Sequence, residues 1–182
     1  MYARLSDNTL LLVREISPND KQRLAEGMRG LSEESIQRRF LGPKPYLSAR
    51  ELRYLTEVDG HNHYAIVAVD EDDRIRAVAR FVRVDDPTSA EAAITVCDDL
   101  HGLGLGSLLA RRLSDAARER GIERLTATIA SENRPALRLM AKIGERLSGA
   151  PVGSSVSELV AQLPVAEADE LDEPVSAGPA AA

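Results

Sequence analysis

Between a predicted strand and a predicted helix, the chain carries the stretch His101-Gly102-Leu103-Gly104-Leu105-Gly106-Ser107. Alternating glycines allow the backbone to approach a ligand closely. The N–H groups in the first turn of the following helix have no helical partners, and they favour negative charge. The stretch therefore predicts a loop that holds a phosphate group.

Two common phosphate-binding motifs do not fit this stretch. A dinucleotide Gly-x-Gly-x-x-Gly loop that begins at Gly102 would need glycine at position 107, where the chain has Ser107. A Walker loop needs Gly-Lys followed by Ser or Thr, and no lysine is near. A tight turn that binds nothing is the remaining alternative, although three alternating glycines weaken a helix start unless a ligand requires them.

The elements around the loop predict one mixed sheet flanked by helices, an α/β (α+β) fold. Apolar runs predict strands at about 9–16, 64–70, 74–84, 91–97 and 124–130, with weak strands near 145–148 and 155–163. Helical spacing and capping residues predict helices at about 20–29, 33–40, 48–58, from the loop to Gly121, and 133–143. An acidic turn at 71–73 makes the second and third strands a hairpin, and two strand-to-helix units follow it.

Composition indicates a single domain over residues 1–163 and a disordered, acidic, Pro/Ala-rich tail over 164–182. The chain has 182 residues, of which 43% are hydrophobic and 29% charged. The tail holds five of the 29 acidic residues and no basic one, so 24 acids and 23 bases remain in the body. Such a nearly neutral body has no electrostatic footprint for nucleic acid.

Other patterns bear on location and metal binding. No apolar run approaches the roughly 20 residues that cross a bilayer, and no basic stretch followed by an apolar segment marks a secretory signal, so we expect a cytoplasmic protein without membrane partners. A lone Cys97 excludes an intramolecular disulfide and a cysteine-based zinc site. His61 and His63 lack carboxylates at ligand spacing, so no metal is expected.

The glycine-rich stretch resembles the pyrophosphate loop of the GNAT superfamily of N-acyltransferases, which reads Gln/Arg-x-x-Gly-x-Gly/Ala. Both glycine positions match, whereas His101 replaces the usual Gln or Arg. The later stretch from Asn133 to Gly144 is similar to the family's second signature, an Asn followed by a helix that ends in Lys-x-Gly. The stretches Arg38–Gly42 and Leu52–Asp59 resemble the acyltransferase domain of bacterial protein lysine acetyltransferases.

This resemblance implies a splayed sheet and a site for acetyl-CoA. The strand before the loop would offer the backbone of Ile94, Thr95 and Val96 to the pantetheine arm. Amides from Gly102 to Ser107 would hold the pyrophosphate, beside His101 at the first motif position, and Asn133 would lie across the gap.

The implied reaction is direct transfer of an acetyl group to a primary amine, with a protein lysine as the leading acceptor. An unperturbed lysine has a pKa of about 10.4 and is almost fully protonated at pH 7, so a general base is needed. Glu91 matches the family's glutamate in that role. Met140 stands where many members have a tyrosine that protonates the leaving thiolate, and Tyr54 and Tyr64 are alternative hydroxyls.

Two other functions stay open at this point. One is a non-catalytic acyl-CoA-binding regulatory module, suggested by His101 and Met140. The other is an acetyltransferase that acts on a small-molecule amine, because acceptor choice depends on loops outside the motifs. The sequence allows either a monomer or a homodimer.

Overall fold

The computed structural model describes residues 1–144, 146–151 and 155–164. The predicted tail lies outside the described residues from position 165 onward, as does position 145 at the start of a predicted weak strand. The boundary predicted at 163/164 therefore stays a prediction.

The strands and helices of the described chain follow one another in the predicted order. The strands are β1 (Tyr2–Arg4), β2 (Leu10–Glu15), β3 (His63–Val69), β4 (Ile75–Arg83), β5 (Ser89–Val96), β6 (Arg124–Ala130), β7 (Arg146–Pro151) and β8 (Val156–Gln162). The helices are α1 (Lys21–Arg29), α2 (Glu33–Phe40), α3 (Ala49–Thr56), α4 (Leu105–Glu119) and α5 (Arg134–Ile143), with short 3₁₀ turns at Pro18–Asp20 and Asp98–Leu100. Strand β1 was not predicted, because three residues are too few for a periodic signal.

All the described strands form one sheet in the order β1-β2-β3-β4-β5-β6-β8-β7. Every neighbouring pair is antiparallel except β5 and β6, which are parallel. This parallel pairing covers only Ser89–Glu91 against Arg124–Thr126. Beyond Glu91 the two strands separate, and a gap opens in the middle of the sheet, so the predicted splayed sheet is confirmed.

Helices cover both faces of the sheet, and the burial of β3 shows this directly. All seven residues of β3 are buried. Its even-numbered residues Ile66 and Ala68 join the larger core under α4 and α5, which includes Phe81, Leu109 and Leu125. Its odd-numbered residues face a smaller core on the side of α1 and α3, which is formed by Ile16, Leu24, Ala65, Val67, Val69 and Ile75.

Local signals set several element ends as the sequence predicts. The Ser48–Glu51 capping box is present, with the Ser48 N–H donating to Glu51 Oε2 at 2.8 Å and the Glu51 N–H donating to Ser48 Oγ at 3.3 Å. Gly121 follows α4 with a φ of +73°, a left-handed value that favours glycine. Gly144 follows α5, and a Cβ there would overlap the backbone of Gln162, so this signature glycine is required by packing.

Candidate functional site

The glycine-rich loop takes a backbone shape that only glycine adopts easily. Gly102 and Gly104 have φ values of +79° and +92°, in the left-handed region. No heavy atom lies within 4 Å of the place where a Cβ would stand at either residue. The loop therefore presents bare backbone to open space.

The N–H groups of this loop are unpaired. None of the backbone N–H groups from Gly102 to Ser107 has a hydrogen-bond partner in the described ranges 1–144, 146–151 and 155–164. Helix α4 begins at Leu105, whose fully buried side chain fixes its first turn in the core. Free N–H groups at a helix N-terminus bind anions, so the loop fits the pyrophosphate of an acyl-CoA. We refer to residues 102–107 as the cradle.

His101 joins the cradle to the end of β5. Its Nε2 lies 2.9 Å from the Val96 carbonyl oxygen, and its side chain is exposed. The imidazole can donate to this carbonyl in the tautomer that carries the proton on Nε2. The structure thus gives the histidine that replaces Gln or Arg a positioning contact at the edge of the gap.

The register of β5 decides which backbone groups face the gap. The Cys97 N–H donates to the Arg76 carbonyl on the β4 side at 2.9 Å, and antiparallel pairing alternates along a strand. The backbone groups of Thr95, which pairs with Val78, therefore point to β4. Those of Ile94 and Val96 point into the gap that β6 leaves open.

Glu91 lies where the gap begins. It is the last β5 residue that pairs with β6, opposite Thr126, and its side chain is exposed. Ala90 and Ala92 on either side are buried in the core under α4, so the Glu91 side chain projects from the opposite face of the sheet. The gap therefore has a carboxylate at one end and the cradle at the other. The extended strand from Glu91 to its end at Val96 is roughly 17 Å long, and the cradle lies beyond it.

Asn133 and Met140 have structural roles in α5. The Asn133 side-chain oxygen accepts a hydrogen bond from the Ala136 N–H at 3.2 Å and caps the helix. Met140 is 4% exposed and belongs to the core under α4 and α5. Tyr64 and Tyr54, the two other candidate hydroxyls, lie in different places. Tyr64 packs in that same core, whereas the Tyr54 ring lies 4.8 Å from the His63 ring, tilted by 44°.

An apolar cleft beside β5 contains residues that the sequence analysis missed. It lies between the sheet and α1–α3, and it is lined by Ala93, Thr95 and Cys97. Arg39 and Arg80 also line it. Burial, and then the nearby charge of Arg39, lower the pKa of Arg80 to about 10.

Arg80 is held by neutral partners. Its Nη1 lies 3.1 Å from His63 Nε2, and its Nη2 donates to the Leu55 carbonyl at 3.0 Å. Burial, and then the charge of Arg80, lower the pKa of His63 to about 4, so the imidazole is neutral at pH 7 and can accept from Arg80. The alternation of the Ile75–Arg83 strand buries Ala77, Ala79 and Phe81 and puts Arg80 on the opposite face with Arg76, so the sequence pattern gives no signal for the burial of Arg80.

Asp98 ties the turn before the cradle to the start of α2. Its carboxylate accepts hydrogen bonds from the Ser32 N–H at 3.0 Å and from the hydroxyls of Ser32 and Ser35 at 2.7 Å each. Burial alone would raise the pKa of Asp98, but these bonds outweigh it and hold the pKa at about 2. The cleft wall and the cradle are thereby linked through one carboxylate.

Within the part of the chain that the structure describes, no helix has the length and apolar character to cross a membrane. The same part contains no group of three or more His, Cys, Asp or Glu side chains arranged to hold a metal ion.

Comparison with known proteins identifies relatives of this chain. The profile of the Acetyltransferase (GNAT) family matches residues 32–144, which include the gap, the cradle and α5. The chain is 32% identical over 143 residues to the acetyltransferase PA5475 of Pseudomonas aeruginosa, with 77% of each chain covered. It is 34% identical over 134 residues to the acetyltransferase Pat of Mycolicibacterium smegmatis, with 72% of this chain and 40% of Pat covered. Among solved structures, the GNAT domain of S. lividans PAT has a TM-score of 0.80 and 27% identity, covering 90% of this chain and 96% of that domain.

Proposed function

Because the chain belongs to the GNAT family of acetyltransferases, we propose that it transfers the acetyl group of acetyl-CoA directly to the primary amine of a protein lysine, with Glu91 as the general base. The class of enzyme, an acetyl-CoA-dependent N-acetyltransferase, follows from the family. The acceptor and the residue roles are our proposal.

One observation carries the proposal: the gap between β5 and β6 joins a carboxylate to an anion-binding cradle. An acyl-CoA carries its pyrophosphate and its thioester at opposite ends of a long arm, so it suits a gap with this distribution of groups. The cradle amides would hold the pyrophosphate. The gap-facing backbone of Ile94 and Val96 would bind the pantetheine amides. Thr95 remains a predicted contact through its side chain only, because its backbone groups point to β4.

His101 and Asn133 complete the proposed binding residues. His101 already contacts the Val96 carbonyl. Its side chain would therefore orient the end of β5, and the cradle amides would bind the pyrophosphate. Asn133 uses its oxygen as the α5 cap, which leaves its NH₂ group for a ligand across the gap. The Leu103 and Leu105 contributions would be limited to their backbone N–H groups, since Leu105 is fully buried.

Glu91 has the right place and exposure for a base. It lies at the closed end of the gap with its side chain exposed, so an incoming amine can reach it from solvent. Glu91 would accept a proton from the lysine ammonium, pass it to solvent water and leave a neutral amine with a free lone pair. Acetyl-CoA supplies the acetyl group as a thioester, so a carbon–nitrogen bond forms as the carbon–sulfur bond breaks and CoA leaves as a thiolate. The nitrogen loses its second proton as the amide forms, and water would carry that proton to the thiolate, because Met140 cannot donate one.

The resemblance of Arg38–Gly42 and Leu52–Asp59 to protein lysine acetyltransferases supports a protein lysine as the acceptor. Those stretches lie at the end of α2 and along α3, on the side of the sheet where Glu91 projects. A small-molecule amine is the second candidate acceptor.

The test compares acceptors under one assay. Purified protein and acetyl-CoA are mixed with lysine-containing proteins and peptides, spermidine and free amino acids, and free thiol is measured over time. We expect thiol release with lysine-containing proteins and a 42-dalton mass increase on a lysine side chain. Release with only small amines would move the acceptor to the second candidate. Binding of acetyl-CoA without release from any acceptor would support a non-catalytic module instead.

A further inference from the structure

The apolar cleft beside β5 contains the positively charged side chains of Arg39 and Arg80 among mostly apolar residues. Apolar side chains from α1–α3 and the sheet form most of its lining, including Leu24, Met28, Phe40, Leu55, Ile75 and Val78. Ala93 and Thr95 line it from β5, as does Cys97 just after that strand. Glu91 projects from the same face of β5. The cleft therefore adjoins the end of the gap where transfer is proposed.

Two guanidinium groups face this cleft without an acidic partner. Arg80 is 6% exposed, and Arg39 has its Cζ 5.1 Å from the centroid of the Phe40 ring. In the described ranges, no carboxylate oxygen lies within 4.0 Å of either guanidinium. The third arginine that lines the cleft, Arg76, pairs with Asp70 and Asp99.

The neighbours of Arg80 do not neutralise it. His63 is uncharged at pH 7, and the Leu55 carbonyl is a neutral acceptor. Burial lowers the pKa of Arg39, and the charge of Glu91 raises it again only in part. An apolar cavity with two unpaired cations is costly, because a buried charge needs a partner of opposite sign.

A purely structural explanation covers only one of the two arginines. Arg80 fastens the end of α3 to the sheet through the Leu55 carbonyl. Arg39 has no side-chain hydrogen bond within residues 1–144, 146–151 and 155–164, and its contact with Phe40 does not require a charge. A planar guanidinium matches a carboxylate in a bidentate geometry, so the pair suits one specific kind of ligand.

We propose that this cleft binds a carboxylate carried by one of the two substrates, held by Arg39 and Arg80 next to the reacting groups. The carboxylate could be the free end of a dicarboxylic acyl group such as succinyl, or an acidic side chain beside the acceptor lysine. The inference rests on the proposed function, because it takes the gap between β5 and β6 as the place of transfer.

The experiment has two arms that separate these sources. In the first arm, calorimetry compares the binding of succinyl-CoA with that of butyryl-CoA, which has the same acyl length and no carboxylate. In the second arm, thiol release from acetyl-CoA is measured with two lysine peptides that differ only in Glu or Gln beside the lysine. Both arms are run on the wild type, on Arg39→Met, and on Arg38→Met as a matched control on the same helix, where Arg38 pairs with Glu34.

The expected result is a preference of about tenfold or more for the carboxylate-bearing compound in one arm. Arg39→Met should reduce that preference to less than about threefold, while Arg38→Met keeps it. Arg39 is chosen over the more deeply buried Arg80 because the Arg39→Met substitution leaves the hydrogen bonds of Arg80 to His63 and Leu55 in place.

Equal treatment of both members of each pair by the wild type would overturn the inference, and so would a preference that survives in Arg39→Met. The binding arm needs no turnover, so it tests a carboxylate on the acyl group even if no peptide is acetylated. Acetylation of the Gln peptide without any carboxylate preference would leave the proposed function standing and remove this inference alone.

Discussion

Substitution of Gly104 by alanine tests the cradle with an internal control in the same helix. Gly104 precedes α4 with a φ of +92°, and Gly121 follows the same helix with a φ of +73°. A Cβ would meet no heavy atom within 4 Å at either position. The two alanine variants therefore impose the same kind of backbone strain at opposite ends of α4.

The magnitude follows from the left-handed backbone. A non-glycine residue in this region loses about 1–2 kcal/mol, which lowers the melting temperature by about 2–8 °C in a chain of this size. At position 104 the strained loop can relax, because the cradle N–H groups have no partners in the described chain. Binding of CoA must then restore the strained shape, so affinity should fall by about 5- to 30-fold.

The assay is calorimetric titration with CoA, run beside thermal unfolding of both variants. Gly121→Ala should show the full loss of stability, Gly104→Ala should lose less because its loop relaxes, and only Gly104→Ala should bind CoA more weakly. The assignment of residues 102–107 as the pyrophosphate cradle is refuted if both variants bind CoA with wild-type affinity.

Two further predictions concern carboxylates that accept several hydrogen bonds, one of them buried and one exposed. Asp20 is fully buried and accepts two 2.7 Å bonds from Arg14, so Asp20→Asn should lower the free energy of unfolding by about 3 kcal/mol in urea titrations. Burial would raise the pKa of Asp20, but the bonds from Arg14 and Ser17 lower it overall. The stability that this carboxylate adds is therefore present above the unfolded pKa of about 4 and is lost as the pH falls further. This loss of stability at low pH should be smaller in Asp20→Asn than in the wild type. Asp98→Asn should lower the unfolding free energy by about 1.5 kcal/mol, because it weakens the bonds from Ser32 and Ser35. The neighbouring Asp99→Asn, which breaks only a surface pair with Arg76, should change it by less than about 1 kcal/mol, and equal losses in the two variants would contradict the role given to Asp98.

Most of the fold could be predicted because its signals are local. The alternation in β4, the capping box at Ser48 and the amphipathic stripe of α4 each specify an element without reference to the rest of the chain. The short β1 could not be predicted, because Tyr2–Arg4 becomes a strand only by pairing with Leu10–Leu12.

The site shows a similar division. The glycine pattern predicts the cradle, since left-handed backbone and free N–H groups are properties of a few adjacent residues. The pairing of Thr95 with β4 depends on register, which the sequence of β5 does not show. The Arg39 and Arg80 cleft brings together residues from α2 and β4, and no spacing along the chain marks that contact.

The measurement that tests the central claim most directly is the pH dependence of kcat/KM for wild type and Glu91→Gln with a lysine peptide, with Glu158→Gln on β8 as an exposed control. Removal of a general base should slow the reaction about 10²- to 10⁴-fold near pH 7. The deficit should shrink as the pH approaches about 10, because the amine then loses its proton to solvent without help. A Glu91→Gln variant that matches the wild type at pH 7, or a deficit that stays constant up to pH 10, would contradict the assignment of Glu91 as the base.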